Sequence, residues 1–161
     1  MKPISRERIE AAWDRICELD EAQSVALANK YMMLQPFLAV YIVANDEMTR
    51  SSDDDATLAT FGLALLEAAY EQNPNLKQVT DLQIERLESE AEENLVHMEG
   101  ESEISNKLEA ANWLQSYNQK EVFGFALELL MSGYEESPDL VPETTGMQML
   151  CVKTVIDCLD Q

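Results

Sequence analysis

Basic residues are scarce in this sequence. Eleven lysines and arginines stand against 31 aspartates and glutamates, a formal charge of −20 over 161 residues. No lysine or arginine cluster is available to neutralise a run of phosphates, which argues against direct binding to nucleic acid or to anionic membrane. The same field admits a basic protein partner, steered in by charge.

Histidine is scarcer still: His97 stands alone. Glu93 lies four residues before it, on the same helical face, but a zinc or di-iron centre needs more ligands than these two. A nucleophile–histidine–acid triad would have to use this one histidine, on the most solvated helix of the chain. No serine sits in a G-x-S-x-G turn. With five glycines, none at the required spacing, there is no phosphate-cradling loop. No catalytic group, metal site or cofactor is therefore expected. The aspartates of Ser51 to Asp55 lack the alternating ligands, central glycine and closing glutamate of a calcium loop, and suit helix capping instead.

Cysteines number three, Cys17, Cys151 and Cys158, with no C-x-x-C pair. Cys151 and Cys158 fall roughly 10 Å apart along one helix, too far for a disulfide. All three have apolar neighbours and are expected as small core residues. The start, MKPISRERIEAAW, has no apolar run that would make a secretory signal, and no stretch is long enough to span a bilayer, so the reducing cytoplasm is the expected location.

What is present is helix-forming residues and apolar surface. Apolar residues make up 46% of the chain, so its acidity does not signal disorder. Few glycines and prolines, with many leucines, alanines and glutamates, favour helices. The chain reads as organised around Leu34 to Ala44, where Pro36 suits a first helical position and no side chain from Phe37 to Ala44 is charged. A helix apolar on every side is expected to be buried on every side.

Amphipathic helices are predicted around it. The first runs from about Ser5 to Leu19, with Ser5 as cap and Ile9, Ala12, Trp13, Ile16 and Cys17 on one face. Asp20 caps a second from Glu21 to Leu34, and the Pro36 helix ends near Asn45 to Glu47. Met48 to Ala56 is the clearest loop. A largely buried helix follows from about Asp54 to Asn73-Pro74, and Thr80 or Asp81 starts the most polar one, reaching Met98. Further helices are expected from Ile104 to Tyr117, from Glu121 to Tyr134, and from Pro142 to a docked C-terminal end.

Two stretches resemble each other. FGLALLEAAYEQNPNL from Phe61 and FALELLMSGYEESPDL from Phe125 align at an offset of 64. A second register pairs Gln35, Leu38 and Tyr41 with Gln119, Val122 and Phe125, and the helix of Asp53 to Gln72 with Pro142 to Gln161. The first has more identities, and the second respects helix order. The expectation is one all-α domain over residues 1–161 with about seven to eight helices, bundle-like or a short helical repeat, with similar halves at 1–78 and 79–161.

The functional expectation is a non-enzymatic interaction or adaptor protein. Its partner is another protein, basic in character, or a second copy of the chain. The candidate face is the acidic helix from Asp81, carrying Glu85, Glu88, Glu92, Glu93 and Glu99. The alternatives are an acidic mimic of nucleic acid that occupies a basic DNA- or RNA-binding protein, and then a small-ligand carrier or enzyme.

Overall fold

The computed structural model describes residues 1–50, 56–99, 115–136 and 142–160. Of side chains within those segments, 94–99, 133–136 and 142–143 are left aside. Seven helices are present among the described residues, and no strand: α1 (Arg6–Cys17), α2 (Glu21–Leu34), α3 (Pro36–Thr49), α4 (Thr57–Gln72), α5 (Asp81–Glu99), α6 (Lys120–Glu136) and α7 (Pro142–Leu159). The chain is an all-α bundle. The expected helix Ile104 to Tyr117 lies almost wholly outside the described residues, as do Gly100 and the proposed caps Ser51 to Asp55.

Local chemistry sets the helix starts. Asp20 and Gln23 form a reciprocal capping box on α2, and Thr80 and Gln83 exchange the same two bonds at α5. Ser5 occupies the cap position of α1, but its side chain makes no cap bond. The loop expected from Met48 starts later, because α3 runs on to Thr49. Thr49 donates to the Asn45 carbonyl, and Arg50 pairs with Asp46 at 2.7 Å. The almost fully buried Asp46 also accepts the Ala59 amide at 3.0 Å, capping the first turn of α4 from a neighbouring helix. Asp46→Ala is expected to lower stability by about 2 kcal/mol, the loss of a cap together with a stranded Arg50. Asp46→Asn, which keeps an acceptor for Ala59, should lose less. Urea unfolding midpoints of the two variants measure the difference.

The helices pack in a pattern that repeats. Helix α1 lies along α4, and α5 along α7; α3 rests on α4, and α6 on α7. Helix α1 also meets α6 where α3 meets α5, α3 meets α7 where α4 meets α6, and α4 crosses α7. Exchanging α1 with α5, α3 with α6 and α4 with α7 returns these contacts; those of α2 with α3 and α4 have no counterpart among the described residues. The exchange is compatible with pairing Gln35 with Gln119, but α4 and α7 match in burial at an offset of ninety, one residue away from the alignment of Asp53 with Pro142. Leu58, Phe61, Gly62, Ala64, Leu65, Leu66, Ala68 and Ala69 are the buried positions of α4. Ninety residues on, from Leu58 to Gln148, the buried positions of α7 fall in the same order: Gln148, Cys151, Val152, Thr154, Val155, Ile156, Cys158 and Leu159.

Two buried glutamines close the structure reciprocally. Gln35, directly before α3, accepts the Val79 amide at 2.8 Å and donates to the Lys77 carbonyl at 3.0 Å and the Tyr70 hydroxyl at 2.9 Å. Gln119, directly before α6, accepts the Ile4 amide at 3.0 Å and donates to the Lys2 carbonyl at 3.2 Å and Asp160 at 2.6 Å. Each side-chain amide thus reads a lysine carbonyl and the amide two residues on, as a neighbouring strand would. Each does so for the segment that opens the opposite half. Tyr70 and Asp160 are themselves ninety positions apart. The correspondence begins at Lys2 and Lys77, and carries Ile4, Ile9, Ala12 and Ile16 onto Val79, Ile84, Leu87 and Ala91, all buried.

Two expectations are overturned. The Pro36 helix is not buried all round: Leu38, Ala39 and Ile42 face inward, while Phe37 is 47% and Val40 57% exposed. It packs against α2, α4, α5 and α7, yet these neighbours leave Phe37, Val40 and Val43 exposed. Cys17 is exposed, unlike the buried Cys151 and Cys158, because the apolar face of α1 turns in at Ile9, Ala12 and Ile16 and leaves position 17 beyond the packed edge.

Candidate functional site

Helix α5 was the expected interaction face, and the structure divides it. Ile84, Leu87 and Ala91 are buried. Glu88 is half-buried and accepts a hydrogen bond from Tyr41 of α3 at 2.6 Å, so it is part of the packing between the halves. Glu85 and Glu92 are exposed, three residues before and four after Glu88, and therefore line the α3 side of the helix. Glu93 is exposed but lies round the helix, nearer the ridge where Arg86 pairs with Glu90 at 3.2 Å. The side chain of Glu99 lies outside those described, as does that of His97.

A second surface was not anticipated. From Ala22 to Asn45 the only charged residue is Lys30, and that lysine is bound to Glu67 at 2.7 Å. Between Glu21 at the start of α2 and Glu47 near the end of α3, both exposed, these two helices thus show solvent an almost uncharged surface. Met33 is 82% exposed, and Val25, Met32, Leu34, Phe37, Val40 and Val43 are exposed with it. On α2, Leu27 and Tyr31 pack inward, while Val25, Ala28, Met32 and Leu34 are exposed. Single exposed apolar residues are ordinary, whereas a run of this extent is uncommon on a soluble chain. The charge-free stretch is visible in the sequence, but apolar content alone does not say which side of a helix is covered.

The second half bears on this surface through the correspondence. Positions 37 and 40 map to 121 and 124, which hold Glu121 and Gly124. The same helix in the same packing therefore does without a bulky apolar side chain at either place. Tyr41 and Glu88 map to Phe125 and Trp13, whose rings meet edge to face at 6.0 Å. One half uses a hydrogen bond where the other uses an aromatic pair.

Each half also holds a tyrosine against a carboxylate and a lysine. Tyr31 donates to Glu67, with the Lys30 ammonium 4.6 Å above the Tyr31 ring. Tyr117 donates to Asp157, with Lys153 5.3 Å above the Tyr117 ring and paired with Asp157. Burial, then the adjoining carboxylate, pushes both phenols well above their ordinary pKa. At Glu67 burial alone would raise the carboxyl. The hydrogen bonds from Lys30 and Tyr31 outweigh it and hold the group below the usual range. A carboxylate with a depressed pKa in the folded state stabilises at neutral pH and loses that contribution as pH falls through the ordinary carboxylate range and below. Glu67→Gln should therefore be less stable than wild type at pH 7, with the gap closing on acidification, as read by thermal unfolding across pH.

An open groove of about 450 Å³ runs between α1, α2 and α4, floored by Ile16, Leu19, Ala26 and Leu27. Its basic rim is already bound within the chain, Arg15 to Glu71 at 2.6 Å and Lys30 to Glu67. Among the described residues no three histidine, cysteine or acidic side chains stand close enough to share a metal ion. None of the described helices is long and apolar enough to cross a membrane. Compared with known families, characterised proteins and solved structures, the chain matches none.

Proposed function

We propose that this protein is a non-enzymatic interaction module, a closed helical scaffold that presents the α2–α3 surface to a protein partner. The observation that carries this reading is the exposed apolar run from Val25 to Val43 on a chain of net charge −20. Such a surface is costly to leave in water and, by the contrast with Glu121 and Gly124, is not required for packing. The two halves are read as copies of one helical unit that have since diverged, the first having acquired the binding face.

The acidic-mimic reading ranks second. Its support is the charge of α5. Against it, Glu88 is drawn in by Tyr41 and Glu93 points away from Glu85 and Glu92, so among the described residues no continuous carboxylate row imitates a phosphate backbone. The two readings separate on salt. Tagged protein captured from native lysate should retain its partner through a high-salt wash if the apolar surface binds it. Release of a set of basic, nucleic-acid-binding proteins by moderate salt would favour the mimic instead.

A further inference from the structure

We infer that the occupant of the α2–α3 surface is an amphipathic helix with basic flanks, an inference that rests on the interaction reading above and names its partner's chemistry. Two features meet on this side of the molecule. Met33, Phe37 and Val40 are exposed apolar residues. The border along α3 is acidic, because the Tyr41–Glu88 bond fixes α5 beside α3 and sets the exposed Glu85 and Glu92 on the adjoining side. An apolar face with a negative margin, on a chain of net charge −20, fits a helix with an apolar stripe flanked by lysine or arginine.

A second copy of this chain is the poorer fit. It carries the same −20 charge and would bring the same acidic margin against this one. The apolar stripe of α3 repeats at Phe37, Val40 and Val43 or Ala44, the three- and four-residue spacing against which a partner helix packs its own stripe. Helix α3 is 14 residues long, so a partner helix of about four turns would run its length.

The test uses the intact protein and synthetic peptides of about 18 residues, roughly 27 Å as a helix. One peptide carries a leucine stripe with lysine flanks. A second has the same stripe with glutamate flanks, and a third has the lysine and leucine residues of the first in scrambled order. Binding is followed by fluorescence anisotropy. The lysine-flanked helix is expected to bind at least about tenfold more tightly than either control. Val40→Glu should weaken it by about tenfold or more, and Met33→Ser should also weaken it, each with an unchanged melting temperature. Glu85→Gln with Glu92→Gln should weaken it severalfold and flatten its salt dependence, whereas Glu7→Gln on α1 should do neither.

Equal binding of the glutamate-flanked helix would overturn the basic-flank assignment while leaving the interaction reading intact. So would a dimer, seen by sedimentation and dissolved by Val40→Glu, which would make a second copy the occupant. Binding of the scrambled peptide that ignores Val40→Glu would reduce the effect to bare charge. If in addition no partner captured from lysate depended on Val40, the interaction reading would fall as well.

Discussion

Replacing Gln35 with alanine is expected to destabilise the fold by about 3–5 kcal/mol, and Gln119→Ala by a similar amount. The side chain of Gln35 is wholly buried and satisfies three groups at once: the Val79 amide, the Lys77 carbonyl and the Tyr70 hydroxyl. Truncation leaves a buried amide without an acceptor and a carbonyl without a donor, each worth about 1–3 kcal/mol, over a new cavity. For a domain whose whole stability is typically about 5–15 kcal/mol this is a large share. Tyr70→Phe removes only one of the three partners and should cost about 1 kcal/mol. Urea denaturation gives the magnitudes, and amide hydrogen exchange gives the location. The Val79 amide should lose protection in Gln35→Ala, and the Ile4 amide in Gln119→Ala.

The second large effect lies where α3 crosses α4. A β-carbon built on Gly62 would stand 2.9 Å from both Cδ1 and Cγ2 of Ile42. Ile42 is buried, and Cγ2 cannot move away without rotating a stiff β-branched side chain. Gly62→Val is therefore expected to cost about 3 kcal/mol from overpacking. Ile42→Ala alone should cost about 2–4 kcal/mol through the cavity it leaves. The corresponding positions in the second half are Ala126 and Val152, the same pairing of small and branched residue with the sizes exchanged. The double variant Ile42→Ala with Gly62→Val recreates that arrangement, and should be more stable than the two single losses predict by at least about 1.5 kcal/mol. Strict additivity in a double-mutant cycle would show that the two crossings are not equivalent.

Much of the fold was legible in the sequence. Helix period and stop chemistry placed all seven helices, and the bounds of α2 follow directly from Asp20 and the Gln35-Pro36 pair. The start of α4 was less so, because its Ala59 amide is served by Asp46, thirteen residues upstream and on another helix. No local pattern announces such a cap. Internal similarity can be read in two registers, and identity favours the one that the helix contacts do not parallel. Phe61 and Phe125 align well as letters, yet they meet each other across the core with ring centres 6.5 Å apart. Gln35 and Gln119 align less conspicuously, but do the same work in the two halves.

The exposed apolar surface of α2 and α3 was the least legible part. Acidic α5 drew notice because charge is conspicuous in a sequence. The stretch from Ala22 to Asn45 drew the opposite conclusion from its lack of charge, because an apolar helix implies burial only if neighbours exist for every side. Helix α3 packs against α2, α4, α5 and α7, and Phe37, Val40 and Val43 still remain exposed.

The most direct measurement on that surface is a paired one on Val40→Glu, its melting temperature and its capture of partners from native lysate beside wild type. Val40 is 57% exposed, and glutamate is a good helix former, so stability should stay within about 0.5 kcal/mol. The stoichiometric partner retained by wild type through high salt should be lost from the variant. Retention of that partner by a folded Val40→Glu protein would contradict the account, and so would a collapse in melting temperature showing that Val40 serves the fold after all.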